Sequence, residues 1–177
     1  LLKRESPLSA AVELLWGKRA IVCGNAPGLS RQLEEIKNGH VEDAVILAAD
    51  GATVPLLEHG ILPAIVVTDL DGPFPAILKA NKLGSIAVVH AHGDNLDALK
   101  RYVPLLDRVM GTVQCQPSEG LYNFGGFTDG DRAVFLAKEM GAASIDLLGF
   151  DFDDQSVTTR KKKKLAWARK LICLALS

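Results

Sequence analysis

The chain alternates between short, solidly apolar runs and stretches in which apolar residues recur every three or four positions. The apolar runs lie at residues 19–24, 44–49, 64–68, 85–91, 108–113 and 144–148. Each has the length of a strand and none alternates polar with apolar, which predicts strands buried on both faces. The spaced patterns predict helices over 7–16, 30–37, 53–59, 75–83, 95–102, 129–140 and 163–176. Gly60, Gly84 and Gly141 stand where helices should stop, Asn95 can cap one helix, and Thr128 or Asp129 can cap the next. Residues 114–130 form a polar, Gly-rich connection. Strands alternating with helices predict an α/β fold, a doubly wound and mostly parallel sheet of about six strands with helices on both faces. There is no internal repeat and no linker, so we expect one domain over 1–177.

Composition narrows the classes of function. The chain is 177 residues with 48% hydrophobic residues, 23% charged residues and a formal net charge of −1, which gives no global electrostatic case for nucleic acid or a membrane surface. Cys23, Cys115 and Cys173 are odd in number, widely spaced and in no CxxC arrangement, so a reducing, cytoplasmic setting is expected over a disulfide scaffold. No apolar run approaches the ~18 residues of a membrane span, and no signal peptide is visible. Leu1 stands where a Met would open a complete chain, which leads us to expect further sequence upstream. A homo-oligomer is left open.

The polar chemistry collects at the ends of the apolar runs. The third run closes as Val67-Thr68-Asp69-Leu70-Asp71-Gly72, two carboxylates at i and i+2. On a strand they would point the same way, and at its carboxyl edge they would splay into a turn. The other ends carry Gly24-Asn25, Asp50-Gly51, His90-Ala91-His92-Gly93-Asp94, Gln114 to Gln116 and Gly149-Phe150-Asp151. Ligands of open α/β sheets sit outside the carboxyl ends of the strands. The turn Gly24-Asn25-Ala26-Pro27-Gly28 has the strand–turn–helix setting that holds phosphate on backbone N–H groups, although it lacks GxGxxG. His90 and His92 would suit zinc only with further histidines, and His40 and His59 lie away from the strand ends. Asp50, Asp69, Asp71 and Asp94 supply hard oxygen ligands from three strand ends, a set that suits Mg²⁺ shared with substrate phosphates. Phe124 or Phe127 can stack on a flat heterocycle whose edge Asn123 and Asp129 read. The cationic run Arg160 to Lys164 reads as a solvated face or helix start, with contact to a polyphosphate as the second reading.

Taken in order, Gly24-Asn25-Ala26-Pro27, Ala49-Asp50-Gly51-Ala52, Gly60-Ile61-Leu62-Pro63, Val67 to Gly72, His90 to Asn95, Asn123 to Ala133 and Leu148-Gly149-Phe150-Asp151-Phe152 resemble the archaeal MptE-like 6-hydroxymethyl-7,8-dihydropterin diphosphokinases. The likeness covers nearly all of the chain after about Arg19. The middle section is also similar to thiamine pyrophosphokinase, but Thr68 and Gly72 stand where those enzymes have Gly and Ser, and their Asp-Gln-Asp stretch is missing. A looser likeness runs to glycosyltransferases of flagellin modification, through a Gly-x-x-Pro turn and an Asp-Gly-Ala-like strand end.

The first resemblance implies ATP-dependent, Mg²⁺-dependent transfer of diphosphate to the hydroxymethyl group of a reduced pterin alcohol, with release of AMP. It implies metal ligation by Asp50, Asp69 and Asp71, with Asp94 a further ligand. Gly24, Asn25, Pro27 and Gly51 would border ATP, and Asn123, Phe124, Thr128 and Asp129 the pterin. Asp69, Asp71, Asp94 and His92 form the catalytic set, with His92 or Asp94 as general base. A thiamine pyrophosphokinase-like enzyme and a nucleotide-sugar glycosyltransferase are the alternatives.

Overall fold

Strands form where β-branched and small apolar residues run without interruption. In the computed structural model, which describes residues 6–37 and 43–177, they are β1 (Arg19–Cys23), β2 (Ala44–Ala49), β3 (Ile65–Thr68), β4 (Ile86–Ala91), β5 (Val109–Val113), β6 (Leu121–Tyr122) and β7 (Ser144–Leu148). The helices are α1 (Pro7–Leu15), α2 (Leu29–Lys37), α3 (Thr53–Glu58), α4 (Phe74–Lys82), α5 (Leu96–Tyr102), α6 (Asp129–Glu139) and α7 (Thr159–Leu176). All strands pair in parallel, in the order β6-β5-β4-β3-β2-β1-β7. The doubly wound α/β expectation holds, with seven strands in place of about six. The added strand, β6, pairs Leu121 and Tyr122 with Gly111 and Thr112 inside the 114–130 connection. Two residues are too few to show a period. Their seat depends on Gly111, where a Cβ would lie 2.5 Å from Leu121 Cδ2. Leu1 and His40 lie outside the described residues.

The topology sorts the helices. From β1 to β6 the chain steps across the sheet in one direction, so right-handed crossovers put α2 to α5 on one face. The return to β7 carries α6 over the other face, beside α1 and α7. Alternate strand residues follow suit. Ala20, Val22, Leu47, Ile65, Val67 and Val88 pack with Leu15 of α1, Val134 and Leu136 of α6 and Ile172 of α7. Ile21, Cys23, Ile46, Ala48 and Val66 face Leu29, Leu33, Leu56 and Ile77 on the opposite side. Burial on both faces explains why the strand sequences do not alternate. It also pushes the Cys23 thiol up to about 12, and all three cysteines are free.

Two local expectations change. The last helix begins at Thr159, four residues before the expected start, because Thr158 caps it by accepting from the Lys161 amide at 3.3 Å. The cationic run therefore occupies helical turns. Asn95 is positioned at the start of α5, but its side chain makes no cap bond and is spent on the strand ends. No helix among the described residues is long and apolar enough to cross a membrane.

Candidate active site

The carboxyl edges of β2 and β3 are held in a tight, strained arrangement. β3 stops at Thr68, so Asp69 and Asp71 sit in the turn beyond it, with the Asp71 amide donating to Asp69 Oδ1 at 3.1 Å. Leu70 between them has φ +68°, and Asp50 at the end of β2 has φ +39°. A non-glycine residue in the left-handed region costs ~1–2 kcal/mol, and such strain collects at functional sites. Thr68 fastens the two edges together. Its hydroxyl donates to Asp50 Oδ1 at 2.5 Å and accepts from the Leu70 amide at 2.8 Å. One oxygen from each of Asp50, Asp69 and Asp71 lies within 4.8 Å of the others. Gly72 closes this group from below, since a Cβ there would sit 1.7 Å from Asp50 Oδ2.

The group borders a cleft of about 540 Å³ that opens over β3, β4 and β5. Asp69, Leu70 and Asp71 line it from the end of β3, and His90, His92, Asp94 and Asn95 from the end of β4. Gln114 follows β5, Phe127, Asp129 and Arg132 come from the start of α6, and Arg160 and Lys164 from the start of α7. Asn95 binds these edges to each other: its amide donates to the carbonyls of Asp69 and His90, both at 2.8 Å, and its Oδ1 accepts from the His92 amide at 3.2 Å. His92 Nε2 stands 3.6 Å from Asp69 Oδ2. His90 Nδ1 lies 3.2 Å from Thr112 Oγ1, while its Nε2 is buried with no hydrogen-bond partner.

Crowded carboxylates shape the electrostatics. Burial pushes Asp50 up to about 6, helped by the charges of Asp71 and Asp69 and opposed by the Thr68 hydrogen bond. Asp71 is raised by partial burial and by Asp69, with Lys164 and His92 pulling the other way. Asp129 is raised well above the usual carboxylate range, first by burial and then by Asp69, Asp50 and Asp71. Burial lowers the Arg132 guanidinium, while Asp131, Asp129 and Asp69 support its charge. Burial also takes His90 down to about 4, reinforced by Arg132 and His92 and partly offset by Asp69 and Gln114. The ring is therefore neutral near pH 7. Hard oxygen donors in mutual repulsion, fixed before any ligand arrives, are the donor set that a small divalent cation satisfies. The residues fit Mg²⁺.

The sequence-predicted residues divide into three sets. Asp50, Asp69 and Asp71 come together as expected, and Asp94 and His92 line the same cleft, although Asp94 lies outside the three-carboxylate group. Gly24, Asn25, Pro27 and Gly51 do not line the cleft. Asn25 packs on Gly51, where a Cβ would meet Asn25 Nδ2 at 2.5 Å, so this turn abuts Asp50. The Gly24 and Ala26 amides are taken by the carbonyls of Leu148 and Gly149. At the point where strand order reverses, between β1 and β7, backbone thus meets backbone, and the cleft opens two strands away. Of the 123–129 segment, only Phe127 and Asp129 reach it. Asn123 instead shapes its own loop, donating to the Cys115 carbonyl and accepting from the Gly125 amide, both at 3.1 Å. Thr128 starts α6, where Asp131 Oδ1 accepts from the Thr128 and Phe127 amides. Phe124 packs on the core at the sheet edge. Gln114, named in the sequence among the strand ends, lines the cleft as well, whereas Asn95 was read only as a helix cap and Arg132 was not singled out.

Fold and cleft together define a doubly wound α/β protein with an acidic, cation-rimmed ligand site at the carboxyl edge of its sheet. The chain belongs to the family described as 6-hydroxymethylpterin diphosphokinase MptE-like, which matches residues 3–157. It is 52% identical over 140 residues to the 6-hydroxymethyl-7,8-dihydropterin pyrophosphokinase of Methanothermobacter thermautotrophicus, covering 79% of this chain and 59% of the relative. It is 47% identical over 170 residues to the Pyrococcus furiosus protein of the same name, covering 88% of this chain and 71% of the relative. The same name belongs to a 40% identical relative from Methanocaldococcus jannaschii, matched over 82% of this chain and 64% of the relative. The chain thus spans roughly three-fifths to seven-tenths of the length of these curated relatives. Among solved structures, the MAf glycosyltransferase of Magnetospirillum magneticum AMB-1 superposes with a TM-score of 0.64 over 96% of this chain and 33% of that one, at 15% identity. That likeness is one of fold alone.

Proposed function

We propose that this chain transfers diphosphate from ATP to the hydroxymethyl group of 6-hydroxymethyl-7,8-dihydropterin and releases AMP. The observation that carries the reading is the three-carboxylate group of Asp50, Asp69 and Asp71 at the mouth of a cleft, in a chain whose relatives bear the pyrophosphokinase name. The acceptor oxygen attacks the β-phosphorus, the bond between that phosphorus and the α–β bridging oxygen breaks, AMP departs on that oxygen, and the hydroxyl proton passes to a base. Such transfer needs positioning and charge neutralisation more than covalent chemistry from the protein.

Asp50, Asp69 and Asp71 would hold Mg²⁺, with Asp94 across the cleft as a further ligand. Bound there, Mg²⁺ supplies neutralisation of phosphate charge. Thr68 and Gly72 fix the Asp50 carboxylate, and Asn95 fixes the backbone that carries Asp69 and His92. Gly24, Asn25, Pro27 and Gly51 border the nucleotide beside Asp50. Phe127, with its ring half exposed, and Asp129 flank the pterin. Asn123, Phe124 and Thr128 shape the loop that presents them. His92, oriented by Asp69, is the base that takes the hydroxymethyl proton.

The test is quantitative AMP release from ATP, Mg²⁺ and the reduced pterin alcohol. One AMP should appear per pterin diphosphate, and Asp71→Asn should lower turnover by about a hundredfold or more, the scale seen when one transition-state electrostatic contact is removed. ADP as product, or no AMP from well-folded protein, would sink the reading. Nothing specific to the cleft favours a nucleotide sugar or thiamine.

A further inference from the structure

Five consecutive cations, Arg160 to Lys164, begin α7, where the helix dipole is already positive. Each cation in a first turn works against that dipole, and no acid in the turn relieves it. The helix geometry separates the five. Arg160 and Lys164, at i and i+4, share the side that lines the cleft, whereas Lys161, Lys162 and Lys163 do not reach it. Three other cations of this helix have partners: Lys162 donates to Gln155 Oε1 at 2.9 Å, Arg169 meets Asp153 at 3.3 Å, and Lys170 lies over Trp167, while Lys161 and Lys163 are exposed away from the cleft. Arg160 and Lys164 make no hydrogen bond or ion pair to any described residue, although acids line the same cleft. The charge of Lys164 is felt at Asp71 without contact. Carboxylates and unpaired cations that line one cleft without meeting suit a ligand that is itself anionic and carries metal. A separate observation marks the cleft as a ligand site. His90 is 2% exposed, lines the cleft and keeps Nε2 buried without a hydrogen-bond partner, an arrangement that a bound polar group would relieve.

We infer that Arg160 and Lys164 form a phosphate clamp that grips the polyphosphate chain of the donor in the cleft that Asp69 and Asp71 also line. The identity of the donor as ATP rests on the diphosphokinase reading, but the clamp itself requires only a polyphosphate. The planar Arg160 fork takes two phosphate oxygens and Lys164 acts as a point charge one turn further along. Both act on the phosphates and leave the nucleoside and the acceptor untouched.

Inorganic tripolyphosphate, ATP and AMP are titrated calorimetrically, with Mg²⁺, into the wild-type chain, R160A/K164A and K161A/K163A. The two double variants lose equal charge from the same helix. R160A/K164A should lose at least about 20-fold in affinity for tripolyphosphate and ATP, as expected for two charge-assisted contacts, with AMP changed by less than about threefold. K161A/K163A should stay within about threefold for all ligands. K164R should restore most of the affinity lost in K164A. Melting of R160A/K164A should be unchanged or slightly higher, because the helix start loses opposing charge. No tripolyphosphate binding by the wild type, no loss in R160A/K164A, or an equal loss in K161A/K163A would each overturn the clamp. Tripolyphosphate binding that depends on Arg160 and Lys164, in a protein that makes no AMP, would overturn the diphosphokinase reading and leave the clamp standing.

Discussion

The Thr68 hydroxyl donates to Asp50 and accepts from the Leu70 amide, so one short side chain joins the ends of two strands. The acids themselves were legible in the sequence, because Asp50 and Asp69 each follow directly on an apolar run and Asp71 stands two residues beyond Asp69. The residues that aim them were not. Thr68 reads as one more β-branched strand residue, and Gly72 as turn punctuation. The space beside Gly72 gives its role away, since a methyl group there would overlap Asp50 Oδ2 at 1.7 Å. Gly72→Ala must therefore swing the Asp50 carboxylate away from Thr68 and out of the three-acid group. We expect turnover to fall by about tenfold to a hundredfold, the cost of misplacing one charged group at a reacting centre, with Mg²⁺ affinity weakened in parallel. Stability should change little, because the carboxylate that moves is at the cleft edge and not in the core. AMP assays over a Mg²⁺ series, alongside thermal melts, separate the two effects. Wild-type turnover in Gly72→Ala would show that the position of Asp50 is not critical.

Elements were read most accurately where burial is symmetrical. Strands covered on both faces produce continuous apolar runs, and six of them were placed within a residue or two of their observed limits. The misses have local physical causes. β6 is too short to leave a pattern, and the start of α7 was hidden by cations that oppose the dipole and by a Thr158 cap that lacks the usual acidic partner. Side-chain ties between elements were hidden as well, because an asparagine in an apolar pattern looks like a surface residue. Asn81 on α4 is 2% exposed. Its amide donates to the carbonyls of Ser85 and Arg108, both at 2.9 Å, and its oxygen accepts from the Asp107 amide at 2.7 Å. It thereby fastens α4 to the starts of β4 and β5. Asn81→Ala strands three backbone groups, and at ~1 kcal/mol or more for each we expect a loss of about 2–4 kcal/mol in urea unfolding, with the cleft chemistry unaffected. A loss below about 1 kcal/mol would mean that water replaces the amide.

At the scale of the whole molecule, the doubly wound class followed from alternation alone, while the location of the cleft did not. Strand order reverses between β1 and β7, yet Gly24 and Gly149 close that crevice by direct backbone approach, and a Cβ on Gly149 would lie 2.2 Å from the Gly24 carbonyl oxygen. The opening lies instead where α6 and α7 begin above β3, β4 and β5. Only the three-dimensional return of β7 brings the α7 cations there. The cleft also couples to global stability through two opposed titrations. His90 drops from 6.5 in an ordinary setting to about 4 in the fold. Below pH 6.5 the unfolded chain therefore binds a proton that the folded chain refuses, and the stability present above pH 6.5 is lost as pH falls through about 4. Asp50 moves oppositely, from 3.8 up to about 6, so the metal-free fold takes up a proton first and gains stability as pH falls from 6 towards 3.8. The two effects mask one another in the wild type. His90→Gln removes one of them, and the stability of the variant relative to wild type should rise as pH falls from 7 to 4.5. The full effect approaches at most about 3.5 kcal/mol, from 2.5 pH units at ~1.4 kcal/mol each. Urea midpoints in a metal chelator at several pH values read the difference directly. A flat difference curve would mean that the His90 ring titrates alike in the folded and unfolded protein, so that its surroundings do not hold it neutral.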